Sequence, residues 1–119
     1  MAKQQEKLLA GSRKAARGRR AAGGGAAAGA LRGFVRGRGL AAHVATARRL
    51  ATEEFKTTAA PRLDLHEDPD TAEQWVEVGL TVAGEPGEVL EAYNRYTRRW
   101  LASVPPSAAG KIRLAFQVV

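Results

Sequence analysis

The stretch LDLHEDPDTAEQW, residues 63–75, contains the residue types in this sequence that could do chemistry. It carries five acidic residues and one of the two histidines of the chain. Carboxylates and imidazole bind divalent ions when they converge on one point, with ligand distances of about 2 to 2.5 Å. His66, Asp68 and Asp70 could converge in this way, but their spacing does not require it. Calcium loops use a longer, glycine-containing pattern that is absent here.

The residues on either side of this stretch favour a β-hairpin instead. Apolar and polar residues alternate before it, in Arg62 to His66, and after it, in Trp75 to Val82. A period of two is typical of strands with one buried face. The residues Asp68-Pro69-Asp70-Thr71 between them have good turn chemistry. We therefore predict a solvated hairpin end, with no metal site and no cofactor.

No set of residues points to catalysis. The chain has no cysteine, so it has neither a thiol nucleophile nor a cysteine zinc site. Ser103 and Ser107 have no histidine placed to activate them. Pro69-Asp70 followed by Glu77 is similar to a metal-dependent nuclease pattern, but Gly79 stands where that pattern requires lysine. We predict no catalytic residues and no enzyme.

Two helices and a third strand complete the predicted elements. Apolar residues from Leu40 to Phe55 recur every three or four positions, which predicts a helix over about 40–56. A second apolar stripe begins at Val89, and Pro86 suits the first turn of that helix. Residues 111–119 alternate again and predict a third strand.

The order helix, strand, strand, helix, strand predicts an α+β fold, a small α-β-β-α-β two-layer sandwich with a mixed three-stranded sheet. A strand, helix, strand crossover normally returns parallel, so the third strand should run parallel to the second. We expect the strand order 2-1-3, with the strand at 62–66 in the middle. Both helices would then cover the face that carries Val76, Leu114 and Phe116.

The first 39 residues differ in composition from the rest. They are rich in alanine, glycine and arginine and contain few large apolar residues, so we predict a disordered basic arm over 1–39. Gly33, Gly37 and Gly39 weaken any helix in the last part of this arm. Residues 40–119 would form the small α+β domain.

The formal net charge of +7 hides an asymmetry between the two halves. Residues 1–50 hold twelve basic residues against Glu6 alone, a balance of +11, and the remainder is −4. Basic arms of this kind bind phosphate backbones without sequence preference. The predicted nucleic-acid-binding residues are Lys3, Lys7, Arg13, Lys14, Arg17, Arg19 and Arg20. A solubilising tail, an organellar targeting segment and a start codon assigned too far upstream are the alternatives.

The sheet face away from the helices is the other candidate surface. In the order 2-1-3, Glu77, Asp64 and Arg113 align across it, with Trp75 and His66 near the hairpin end. One interpretation is a charged solvent face with an exposed tryptophan. The other is a protein interface through Trp75, Arg113 and His66, since tryptophan and arginine often dominate binding energy.

Two classes of function follow from these features. The first is a non-enzymatic nucleic-acid-binding module that uses the basic arm. The second is a protein adaptor or inhibitor acting through the outer sheet face, or a homodimer paired through the edge at 111–119. No apolar run approaches the roughly 20 residues of a membrane span. We therefore expect a cytoplasmic protein with no membrane partner.

Overall fold

Helices and strands alternate along the folded part of the chain. The computed structural model describes residues 19–20 and 24–119, with side chains from residue 27 onward. Its elements are β1 (Arg19–Arg20), α1 (Gly24–Gly37), α2 (Ala41–Glu54), β2 (Arg62–Glu67), β3 (Gln74–Val82), α3 (Pro86–Ser103), α4 (Pro106–Ala109) and β4 (Ile112–Val118). The predicted α+β class and mixed sheet are confirmed, and each predicted helix and strand is present to within two residues.

The strand order in the sheet is β1-β2-β3-β4. β2 and β3 pair antiparallel, with Leu65 opposite Val76, and β3 and β4 pair parallel, with Val78 opposite Leu114. The expected order 2-1-3 is therefore wrong, because β3 and not β2 lies between the other two predicted strands. β3 is the longest strand, and most of its nine residues are buried. The central position gives this apolar strand a partner on each side.

The core lies between the inner face of the sheet and the helices. Val76, Val78, Leu80 and Val82 of β3 are at most 2% exposed. The buried stripes of α2 and α3 join the same cluster, so the helical periodicity was a correct guide to their buried faces. Phe55, just after α2, lies with its ring centroid 6.2 Å from Tyr96 and 5.7 Å from Phe116. This aromatic contact joins both helices to β4.

Helix α1 shows that the predicted arm ends earlier than expected. The composition of residues 31–39 predicted that they lie outside the folded domain, but Phe34 is only 8% exposed and belongs to the core. Leu31 and Val35 pack against that core from the same helix. Three apolar residues at this spacing form one helix face, and their packing offsets the low helix propensity of the glycines. The residues before 19 lie outside the described part of the chain, so their disorder stays a prediction.

A glycine makes the sharp connection between α1 and α2. Gly39 has φ +64°, a conformation that favours glycine. The Leu40 N–H donates to the Val35 carbonyl at 2.9 Å, across this turn. The arrangement ends α1 and buries Leu40, which is 2% exposed. Gly39, the predicted domain boundary, therefore lies at a turn between two packed helices.

Glu54, at the end of α2, connects this helix to α3. Its carboxylate accepts hydrogen bonds from Arg95 Nε at 2.7 Å and from Arg99 Nη1 at 2.8 Å. The hydrogen bond from Arg95, followed by that from Arg99, lowers the pKa of Glu54 below its ordinary value of 4.5. Arg99 also contacts Glu53 at 2.9 Å. The late position of the arginines in α3 suits compensation of the helix dipole, but two of them also bind the neighbouring helix.

Phe34→Ala should lower the free energy of unfolding by about 3 kcal/mol, because it removes a buried aromatic ring from the core. Leu101→Ala is the control, since Leu101 is 62% exposed and its truncation should cost less than about 1 kcal/mol. Denaturant unfolding of the full chain measures both. If Phe34→Ala lowered the free energy of unfolding as little as Leu101→Ala does, α1 would not pack on the domain.

Glu54→Gln should reduce stability in a pH-dependent way. The folded-state pKa of Glu54 is lowered, so its contribution is present above the unfolded value near 4.5 and is lost as the pH falls through the folded value. The difference in unfolding free energy between wild type and Glu54→Gln should thus be constant near neutrality and shrink below about pH 4. Unfolding curves from pH 3 to 7 measure it, with Glu91→Gln as the single-charge control. A difference as large at pH 3 as at pH 7 would contradict this account.

Candidate functional site

The acidic stretch within residues 63–75 is the turn of a β-hairpin. The Asp68 carboxylate accepts a hydrogen bond from the backbone N–H of Asp70 at 2.8 Å. The Asp68 N–H donates to the Glu73 carbonyl, also at 2.8 Å, and Ala72 takes a left-handed conformation with φ 64°. The predicted hairpin between β2 and β3 is confirmed. The carboxylate of Asp68 is used locally to shape the turn.

A charged row crosses the outer face of the sheet, the face turned away from the core cluster. Asp64 lies opposite Glu77 on the neighbouring strand, and Glu77 lies opposite Arg113 on the next one. The sequence predicted a row of the same three residues, but with Asp64 in the middle. The correction follows from the central position of β3. Asp64 and Glu77, the two carboxylates of the row, face each other across the antiparallel strand pair β2 and β3.

Trp75, predicted to be exposed, is buried at 5% exposure. Its ring stacks on the His66 ring, with centroids 5.9 Å apart and planes inclined by 12°. The guanidinium carbon of Arg113 lies 4.2 Å from the centroid of the Trp75 ring. The structure thus brings together the three residues predicted to bind a partner. Trp75 is packed within this group, however, and cannot serve as an exposed anchor.

Arg113 connects the start of β4 to the hairpin end. Its Nη2 lies 3.1 Å from Glu73 Oε2, and its Nε donates to the Gly110 carbonyl at 3.1 Å. The ion pair of Arg113 is therefore with Glu73 of the hairpin turn, although Glu77 is its partner in strand register. A guanidinium held at two points over an indole makes a favourable cation–π contact. These contacts fix the orientation of Trp75.

The outer face also assembles a histidine and two carboxylates. His66 Nε2 lies 3.1 Å from Glu77 Oε1. One ligand atom of each of Asp64, His66 and Glu77 lies within 4.8 Å of those of the other two. His66 is buried, and the two carboxylates are half-buried. The sequence pattern placed Asp64, His66 and Glu77 on one sheet face, but the candidate ligand set that it suggested was His66 with Asp68 and Asp70. The antiparallel register instead brings Glu77 to His66 from the other strand of the hairpin.

The basic segment of the sequence extends into the folded domain. No acidic residue occurs between Lys7 and Thr52. Five arginines in the described part of this segment are exposed: Arg32, Arg36, Arg38, Arg48 and Arg49. Of the predicted nucleic-acid-binding residues, Arg19 and Arg20 form β1, in register with Glu67 and His66. The other five, Lys3, Lys7, Arg13, Lys14 and Arg17, lie outside the described residues.

One cleft lies beside the contact between α2 and α3. It encloses about 200 Å³ and is lined by the charged residues Glu54, Lys56, Glu88, Glu91 and Arg95, together with Phe55, Ala83, Val89 and Ala92. Small-molecule pockets are usually about 300 to 1,000 Å³ and mostly apolar, so this cleft is too small and too charged to resemble one. Among the helices in residues 24–119, none combines the length and apolar character that crossing a membrane requires.

Comparison of the chain with protein-family models, with curated proteins and with solved structures finds no match. Function must therefore be inferred from the residues themselves. Two surfaces stand out in the described chain: the exposed arginines near its start and the charged and aromatic group on the outer sheet face.

Trp75→Ala should destabilise the protein about as much as Trp100→Ala, by about 3 to 5 kcal/mol each, because the two side chains are 5% and 6% exposed. Equilibrium unfolding in denaturant compares them directly. A cost below about 1 kcal/mol for Trp75→Ala alone would show that the contacts with His66 and Arg113 contribute little to folding.

Proposed function

We propose that this protein is a non-enzymatic nucleic-acid-binding module that contacts the phosphate backbone without sequence preference. The observation that supports it is a basic segment, free of acidic residues from Lys7 to Thr52, which runs into exposed arginines of the folded domain. The proposed phosphate contacts are made by Lys3, Lys7, Arg13, Lys14, Arg17, Arg19 and Arg20. Arg32 and Arg36 of α1 extend this set.

The position of α1 gives the arm a fixed point of attachment. Phe34 anchors the helix in the core, while Arg32 and Arg36, four residues apart, share an exposed side of it. Neither arginine has an ion-pair partner among the described residues. An arginine side chain that makes no ion pair within the protein is available to pair with an anionic partner. Their binding to phosphates is driven by release of the counterions that surround the nucleic acid.

The rest of the chain supports binding better than catalysis. The described residues form a small domain, and the cleft between α2 and α3 is below the usual size of a substrate pocket. We assign the module to the cytoplasm, because a chain without cysteine suits a reducing compartment.

A protein-binding function is the second candidate, and the edge of the sheet is the observation in its favour. β4 is the last strand in the order, so one side of it has no strand partner in the described chain. Val118 and Val119 at its end are 42% and 67% exposed. Exposed edges of this kind pair with strands of a partner or of a second copy. An adaptor or inhibitor acting through the outer face would use Arg113, since Trp75 and His66 are both buried.

Binding of fluorescent duplex DNA and RNA across a salt series tests the proposal. Phosphate contact predicts that log affinity falls linearly with log salt, with a slope of about −0.9 for each phosphate contact on duplex DNA. Replacing the seven arm residues by glutamine in the full chain should abolish most of the binding. Arg32→Ala with Arg36→Ala should weaken binding further and make the slope less negative by about 0.9 for each phosphate that is no longer neutralised.

Arg98→Ala is the matched control, since Arg98 is an exposed arginine of α3 outside the basic half. It should leave both the affinity and the slope nearly unchanged. No binding by the intact protein at low salt would reject the nucleic-acid function. A concentration-dependent dimer that Val118→Lys disrupts would then favour the sheet edge.

A further inference from the structure

We propose that Asp64, His66 and Glu77 form a binding site for a divalent transition metal ion of the zinc class. This acid-histidine site is separate from the phosphate contacts proposed for the basic arm and does not depend on them. The sequence predicted no metal site, because the spacing of His66, Asp68 and Asp70 does not require these side chains to converge. The hairpin register instead supplies Glu77 from β3.

The geometry of the three side chains is close to that of a ligand set. Two ligands bound tetrahedrally to one zinc ion at about 2.0 to 2.2 Å lie about 3.3 to 3.6 Å apart. His66 Nε2 and Glu77 Oε1 are separated by 3.1 Å, so they need to move apart by only a few tenths of an ångström to share one ion. All three ligand atoms lie within 4.8 Å of one another. Small side-chain rotations would bring the Asp64 carboxylate into the same coordination sphere.

The imidazole is held in place before any ion binds. His66 is 8% exposed, and its ring stacks on the Trp75 ring. The guanidinium carbon of Arg113 lies 4.2 Å from the centroid of the same Trp75 ring. A ligand whose orientation is fixed by packing loses little conformational entropy on binding. The Trp75 Nε1 is buried and has no hydrogen-bond acceptor among the described residues.

The site brings two carboxylates to adjacent positions on paired strands. Asp64 and Glu77 face each other directly across the β2–β3 pair, an arrangement in which like charges destabilise a sheet. Arg113, the register partner of Glu77, makes its ion pair with Glu73 instead. In the described chain the one ion-pair partner of Glu77 is therefore His66. A divalent ion would lie between the two carboxylates, in addition to the contacts that Asp64 and His66 already make.

The ligand types select the class of metal. One imidazole and two carboxylates suit zinc, cobalt or manganese, whereas calcium and magnesium prefer sites built from oxygen alone. Three protein ligands leave at least one coordination position for water. The site therefore resembles an open site more than a closed structural one.

Titration of the chelator-treated full chain with zinc, followed by calorimetry and melting temperature, tests the proposal. We expect saturable binding of one ion per chain and a rise in melting temperature of several degrees. Cobalt should bind at the same site and give visible absorption bands that zinc removes. Calcium and magnesium at the same concentrations should produce a much smaller shift.

Glu77→Gln and Asp64→Asn, which keep the size of each side chain, should each weaken zinc binding at least about tenfold. The matched controls are His43→Gln, which removes the other histidine of the chain, and Asp70→Asn, which removes a carboxylate of the turn. Both should bind zinc as wild type does. Circular dichroism of each variant without metal verifies that it is folded.

Two results would overturn the site. The first is the absence of saturable zinc binding to the folded wild-type chain. The second is binding that persists in Glu77→Gln and Asp64→Asn, or that is abolished in His43→Gln, which would assign the ion to other residues. In either case the three side chains form only a hydrogen-bonded acid–histidine group.

Discussion

The pairing of β3 on both of its edges is the constraint on which the rest of the structure depends. A strand with four apolar residues on its inner face and Trp75 on its outer face can be fully buried only between two other strands. The hairpin supplies β2 on one side, and the crossover through α3 supplies β4 on the other. The helices α2 and α3 then complete the core against its inner face. Because the domain is small and has no disulfide, this packing must hold it together without covalent support.

The same pairing organises the outer face. With β3 in the centre, Trp75 lies in register with His66 on one side, and Arg113 reaches its ring from the other. The tryptophan is buried by polar and charged neighbours instead of by an apolar layer. One residue further along this face, Glu77 meets Asp64 and His66. The stacked pair Trp75 and His66 and the candidate metal ligands therefore lie on the same hairpin, β2 and β3.

The two proposed functions use charge of opposite sign in different parts of the chain. The basic half contains the exposed arginines of α1 and α2, while the acidic residues concentrate after Thr52. Glu54 illustrates how the fold uses part of this separation, because its carboxylate on α2 attracts two arginines from α3. The charges of Arg95 and Arg99 are therefore paired with carboxylates within the protein. Arg32 and Arg36, near the start of the domain, have no comparable partners in the described residues, which is why we propose them as phosphate contacts.

The periodicity of the sequence determined the elements of this protein. The alternation around residues 63–82 and the stripes from Leu40 and Val89 were enough to predict the hairpin, two helices and the parallel third strand, because backbone geometry sets those periods. The sequence likewise placed Asp64, Glu77 and Arg113 on one face of the sheet. It could not show that Glu77 would lie in the middle of that row, since periodicity contains no information on which strands are neighbours.

Tertiary structure alone decided the strand order, the burial of Trp75, the packing of α1 and the meeting of His66 with Glu77. Each of these depends on contacts between residues that are distant in sequence or on what covers a face. Phe34 shows the difference: Gly33 and Gly37 on either side of it weaken a helix, yet the core gives its ring a buried position that offsets these glycines. Local patterns determine which side of an element is apolar. Only the packed fold determines what that side meets.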